Sequence, residues 1–113
     1  MSPMLVINQE QLPFSRIARE LEGRDHEAVP VSLIFVDAPP GDGPGLHTHA
    51  YHEIFLVQEG AATFTAGDEE RAVGAGDIVV VPPEVPRRFL NTGDGPLRMT
   101  TIHTSPHFVT EWL

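Results

Sequence analysis

The sequence predicts an all-β sandwich or barrel formed as one small domain, and three observations carry that expectation. Roughly eight short strand-like runs are separated by turn residues. No alternation of strands with helical patterns occurs, which argues against a parallel α/β sheet. Eleven prolines and ten glycines in 113 residues demand many turns and leave little room for long helices. A chain of this length can bury one core but not two.

In chain order, Met4 to Ile7 is a short apolar run suited to an edge strand. Residues 8–30 are polar and irregular, with Phe14, Ile17 and Leu21 spaced for a brief helical turn or a packed loop. Residues 1–30 are thus expected to form an N-terminal arm, residues 31–104 the barrel, and residues 105–113 a docking tail. Val31 to Asp37 reads as a strand and is followed by the breaker run Ala38 to Gly45 (APPGDGPG). His47 to Val57 comes next, and Gly60 allows a tight turn into Ala61 to Ala66. Gly67 and Asp68 turn the chain into Glu70 to Val73, and Gly74 and Gly76 precede Ile78 to Val81. Pro82, Pro83 and Pro86 break that run. Arg88 to Asn91 is short, residues 92–95 (TGDG) make a hairpin turn, and Leu97 to Thr104 closes the series. Strand pattern alone fits a jelly roll, an immunoglobulin-like sandwich or an open barrel equally well.

Composition removes several classes of function. Seven basic against sixteen acidic residues give a formal charge of −9, so no basic cluster is available to neutralise phosphates. Nucleic acid and anionic membrane surfaces are therefore not expected partners. With no cysteine, disulfides, thiolate chemistry and cysteine-rich zinc sites are excluded. The first residues, MSPMLVINQEQ, lack a basic start and a long apolar stretch, and no apolar run reaches membrane-spanning length. A cytoplasmic protein is the expectation.

Six histidines are present, and His47, His49 and His52 fall within six positions, followed at once by Glu53. A strand alternates its side chains. If residues 47–57 form one extended segment, His47, His49, Tyr51, Glu53, Phe55 and Val57 share a face opposite Thr48, Ala50, His52, Ile54 and Leu56. Two imidazoles and a carboxylate on one face are a metal-ligand set that suits zinc, iron, manganese, nickel or copper. His52 has the opposite parity, and His26 and His107 lie in a loop and near the tail, so these three read as surface residues.

The same residues carry a resemblance. Gly41, five residues, His47-Thr48-His49, three residues, Glu53, six residues and Gly60 match the first cupin motif without a gap. Gly76, five residues, Pro82, then Arg87, three residues and Asn91 reproduce the spacing of the second. The chain therefore resembles small single-domain bacterial cupins of the conserved-barrel type (cupin 2), and its ending, IHTSPHFVTEWL, is similar to theirs. The resemblance implies a double-stranded β-helix, or jelly roll, with His47, His49 and Glu53 holding a divalent transition metal inside the barrel. It assigns Gly41, Gly60 and Gly76 to turns and Pro82 to a strand exit, and it implies a homodimer. An apolar tail of Phe108, Val109, Trp112 and Leu113 could support that dimer or pack on its own barrel.

The second motif departs from the family pattern twice. Its glycine is Glu84, and its metal-binding histidine is Arg87, which stays protonated and has no lone pair to give. Two outcomes follow. His103 could supply the missing ligand, because Leu97, Met99, Thr101 and His103 share the more core-like face of the last strand. Alternatively Arg87 pairs with Glu53, and the barrel takes an anion in place of a metal. The expected function is accordingly a metal-dependent enzyme acting on a small organic, anionic substrate, with Tyr51 as proton donor and Arg87 as a clamp for a carboxylate or phosphate. A non-enzymatic small-molecule binder and an assembly subunit with a vestigial site are the alternatives.

Overall fold

Side-chain alternation is the organising feature of the computed structural model, which describes residues 4–113. Eleven strands form two antiparallel sheets facing each other. They are β1 (Phe14–Ser15), β2 (Ala18–Leu21), β3 (Ser32–Ala38), β4 (His47–Thr48), β5 (Glu53–Glu59), β6 (Ala61–Ala66), β7 (Glu69–Gly74), β8 (Ile78–Val81), β9 (Arg87–Asn91), β10 (Leu97–His103) and β11 (Glu111–Trp112). One sheet runs β1-β2-β3-β10-β5-β8 and the other β11-β4-β9-β6-β7. This is the jelly-roll barrel.

The core lies between the sheets, where Phe55, Phe64 and Phe89 form a ring cluster with centroids 4.8–6.2 Å apart. Val57, Val81, Ala62, Leu97 and Met99 complete it. On β5 the buried residues are Glu53, Phe55 and Val57, and on β10 they are Leu97, Met99, Thr101 and His103. One face of each strand thus feeds the interior, as period-two patterning requires. Gly41, Gly60 and Gly76 all have positive φ (84°, 91° and 93°). At Gly60 a Cβ would also lie 2.4 Å from the Pro96 carbonyl oxygen, so that turn needs glycine on both counts.

Three local expectations are corrected. Met4 to Ile7 forms no strand. Residues 14–21, expected as a helical turn or packed loop, instead make the β1-β2 hairpin. There Ser15 pairs with Ala18, and Arg16 takes φ 59° in the turn. β2 then pairs with β3 from Ala18↔Val36 to Leu21↔Leu33, extending the barrel wall. The segment 47–57 is not one strand: β4 belongs to one sheet and β5 to the other, and the chain bends between them at residues 49–52. No helix among the described residues is long and apolar enough to cross a membrane.

Candidate metal centre

Crossing from one sheet to the other brings the polar residues together. β4 carries His47, the bend carries His49 and Tyr51, and Glu53 begins β5. His103 lies directly across from Glu53 on β10, and Arg87 of β9 pairs with His47. His47, His49, Glu53, His103 and Arg87 are all buried. One ligand atom from each of His47, His49 and Glu53 lies within 4.8 Å of the others. His103 adjoins that set through Glu53, with Nε2 3.1 Å from Oε2. The bend thus does what a single straight strand was expected to do, because barrel curvature turns both segments toward one interior. His52, of opposite parity, is exposed.

Hydrogen bonds fix the imidazole tautomers. The Nδ1 atoms of His47 and His49 lie 2.8 Å from the carbonyl oxygens of Gly45 and Val109. A carbonyl can only accept, so both rings carry hydrogen on Nδ1, and a neutral ring then has its Nε2 lone pair free. Burial lowers the pKa of His47, and it pushes that of His49 down to about 4, so both rings are neutral near pH 7. His49 Nε2 consequently presents a lone pair to Glu53 Oε1 at 3.5 Å. Two acceptors confront each other across that gap.

On the other side of the carboxylate, His103 Nδ1 bonds the Tyr51 hydroxyl at 2.8 Å. Its Nε2 is close to Glu53 but not aligned for a hydrogen bond, and it has no hydrogen-bond partner among the described residues. Burial raises the Glu53 pKa, yet His103, His49 and Arg87 together outweigh burial and hold it below the usual carboxylate range. Burial likewise pushes Tyr51 up to about 12, so its hydroxyl stays protonated. Arg87 is 1% exposed. Its Nη1 lies 3.3 Å from Glu53 Oε1, and its Nε and Nη2 donate to the carbonyls of Val85 and Pro82.

The residues therefore fit a bound cation. Acceptors that face each other, and a buried nitrogen without an aligned hydrogen bond, are costly when bare and favourable around a positive ion. The Nδ1 bonds to Gly45 and Val109 are of the kind that, in metal sites generally, orient a histidine toward the ion.

The centre opens into a cavity of about 450 Å³. Sequence reasoning missed several of its lining residues. Phe108 packs edge-on to His103 and Trp112 tilts against His47, each with centroids 4.9 Å apart, while Thr101 faces the interior as its strand parity predicts, though the sequence pattern gives it no site role. Tail docking explains the first two: β11 pairs with β4, and the Leu113 N–H donates to Leu46. The apolar pattern of the tail was the available signal, but it does not say which surface the tail covers. The alternation of β10 was the signal for Thr101.

Residues 34–103 match the family model described as the cupin domain. The chain belongs to the cupin family. It is 30% identical over 83 residues to an uncharacterized protein of Methanocaldococcus jannaschii, covering 73% of this chain and 66% of that one. Among solved structures it is similar to oxalate oxidase, with a TM-score of 0.75 at 22% identity over 85% of this chain and 54% of the other. It is also similar to Bacillus subtilis oxalate decarboxylase, a protein with Mn(II) centers. That match has a TM-score of 0.80 at 25% identity and covers 92% of this cupin and 30% of that chain. This cupin thus spans from under a third to two thirds of the lengths of these proteins.

Proposed function

We propose that this cupin holds a divalent transition metal on His47, His49, Glu53 and His103 and acts as an enzyme on a small organic substrate in the barrel. The observation that carries this reading is the His49 Nε2 lone pair facing Glu53 at 3.5 Å, beside the His103 Nε2, which lies 3.1 Å from Glu53 without an aligned hydrogen bond. Zinc, iron, manganese, nickel and copper all suit a His/carboxylate set, and the Mn(II) centers of the decarboxylase relative support a divalent ion. Such an ion would supply polarisation of a ligand oxygen, or activation of water or dioxygen. Tyr51 keeps a hydroxyl proton 2.8 Å from His103 Nδ1 but does not line the cavity, so it positions His103 rather than touching the substrate. Arg87 orients Glu53 and offers its remaining N–H groups to an anionic substrate atom.

Metal content, measured by inductively coupled plasma mass spectrometry on untagged protein, tests the reading. Near-stoichiometric metal that falls in both His47→Ala and His103→Ala is expected. Metal-free protein after growth and refolding with each of the five ions would overturn it.

A second reading rests on the Arg87–Glu53 contact of 3.3 Å. In that reading the barrel is a non-enzymatic binder of small anions, and stabilisation by carboxylates survives chelation but is lost in Arg87→Ala. We also propose a homodimer. Val80 and Ile54, and Ile54 and Ile102, are neighbours across strands on the outer face of the six-stranded sheet, where Ile78 and Val80 are 66% and 58% exposed. Light scattering at micromolar concentration checks it.

A further inference from the structure

The cavity has two chemical ends. Its buried ionisable groups, His47, His49, Glu53, His103 and Arg87, cluster together, whereas Ile17, Ile34, Phe55 and Phe89 supply apolar lining and the hydroxyls of Ser15, Thr101 and Thr110 are its uncharged polar side chains. Phe108 and Trp112 also line it, and Trp112, 65% exposed, stands where the cavity meets solvent. The two buried charges, Glu53 and Arg87, face each other at 3.3 Å and largely cancel. The other charged lining residues, Arg16 and Glu20, are exposed at the rim, and Arg16 is tied to Asp42 at 2.8 Å. Arg87 already uses three nitrogens on Glu53, Val85 and Pro82, so its fork is not free for a two-pronged grip on a second carboxylate.

A short dicarboxylate would fit this space poorly. One carboxylate could meet the histidine end, but the other would lie against isoleucine and phenylalanine with no cation to pair it, and burying an unpaired charge is costly. Size argues the same way. A dry apolar cavity of roughly 150 Å³ already holds a benzene ring, and about 450 Å³ is available here.

We infer that the ligand of this cupin is amphipathic, with one oxygen-donor head at the His47/His49/Glu53 end and a flat apolar body of ring size. Ile34, Phe89, Phe108 and Trp112 select that body. The assignment of the head rests on the proposed metal centre, and the assignment of the body on the lining alone.

Trp112 is the single tryptophan of the chain and lines the mouth, so its fluorescence reports occupancy. Zinc-loaded protein is titrated with benzoate, phenylacetate and oxalate, with thermal shift in parallel, and the series is repeated after chelation. The two aromatic acids are expected to change Trp112 emission saturably and to bind at least tenfold tighter than oxalate. Phe108→Ala should weaken them about tenfold, and Ile34→Ala is the second variant should Phe108→Ala not fold. An aromatic-acid response that survives chelation supports the apolar body while counting against the metal at the head. A response lost on chelation supports both. Oxalate binding as tightly as benzoate to zinc-loaded protein, or no aromatic-acid binding to protein whose zinc content is confirmed, overturns the inference and leaves the metal centre standing.

Discussion

Strands β9 and β10 run between two ends of one barrel that treat buried polar groups in opposite ways. At one end Asn91, 2% exposed, satisfies every bond its amide offers in this setting. Nδ2 donates to the carbonyls of Ala38 and Gly95, and Oδ1 accepts from the Gly93 N–H, all at 2.9 Å. Its neighbours there are Leu97 and Ala38, fully buried. At the other end Thr101 Oγ1 and His103 Nε2 are buried without a partner, and His49 and Glu53 present acceptors to each other. The first end uses a polar residue to lock the 92–95 hairpin, at little net cost, because the amide is fully bonded. The second leaves bonding capacity unspent, which is the feature the proposed metal centre rests on.

The largest effect should come from breaking the compensation at the open end. Arg87→Met removes the buried partner of Glu53 and leaves a carboxylate among apolar and imidazole groups. A loss of about 3–5 kcal/mol is expected, measured by urea denaturation of metal-free protein. Adding zinc should restore much of it, because binding to the folded state alone stabilises it. A loss under about 1 kcal/mol, or no recovery with zinc, would show that Arg87 is not what offsets Glu53.

Acid should act next, through groups at this end. Unfolded, His49 titrates near 6.5, and in the fold burial holds it at about 4. Between these values the unfolded chain binds more protons, so stability rises with pH across the window and is lost as pH falls through it. His47, also lowered by burial, and Glu53, held low by its partners, act in the same direction. The loss from pH 6.5 to 4 should be about 2–3 kcal/mol for His49 alone, given roughly 1.4 kcal/mol per unit. Denaturation at a series of pH values checks this, and His49→Phe should flatten the slope. An unchanged slope in that variant would place the dependence elsewhere.

A matched pair of substitutions then compares the two ends directly. Asn91→Ala strands the Gly93 N–H and two carbonyls and should cost about 2 kcal/mol. Thr101→Val removes a hydroxyl that has no partner and should be neutral or stabilising by up to about 1 kcal/mol. Thermal unfolding of both variants reads the difference. Equal losses would mean that Thr101 has a bonding role like that of Asn91.

The same contrast explains what could be read in the sequence. Alternation along β5 and β10 placed Glu53, Phe55, Thr101 and His103 on inward faces, and turn residues marked most boundaries, because both are local properties. The cupin motif spacing pointed to His47, His49 and Glu53 even though the segment bends at residues 49–52 and crosses between sheets. The 14–21 hairpin was not legible, since Arg16 adopts positive φ without a glycine to announce it. Nor were the Val109 carbonyl on His49 and the aromatic mouth, which depend on where a tail sixty residues downstream docks.

The smallest effect concerns strain at the open end. Glu84 lies between β8 and β9 at φ 66°, where the family motif resembled by this sequence carries glycine. Its N–H donates to the His49 carbonyl at 2.8 Å, so the turn that leads to Arg87 is tied to a candidate ligand. Holding a non-glycine residue in the left-handed region costs about 1–2 kcal/mol, and glycine adds roughly 0.4–1 kcal/mol of unfolded-chain entropy to be lost on folding. Glu84→Gly should therefore stabilise by about 0.5 kcal/mol, read as a higher urea midpoint at unchanged slope. The glutamate side chain is exposed and gives up little when removed. Metal affinity should not change, because the backbone bond to His49 remains. A drop in stability would show that the strained turn is held by contacts of the Glu84 side chain, whereas a drop in metal affinity alone would show that the strain itself aims His49.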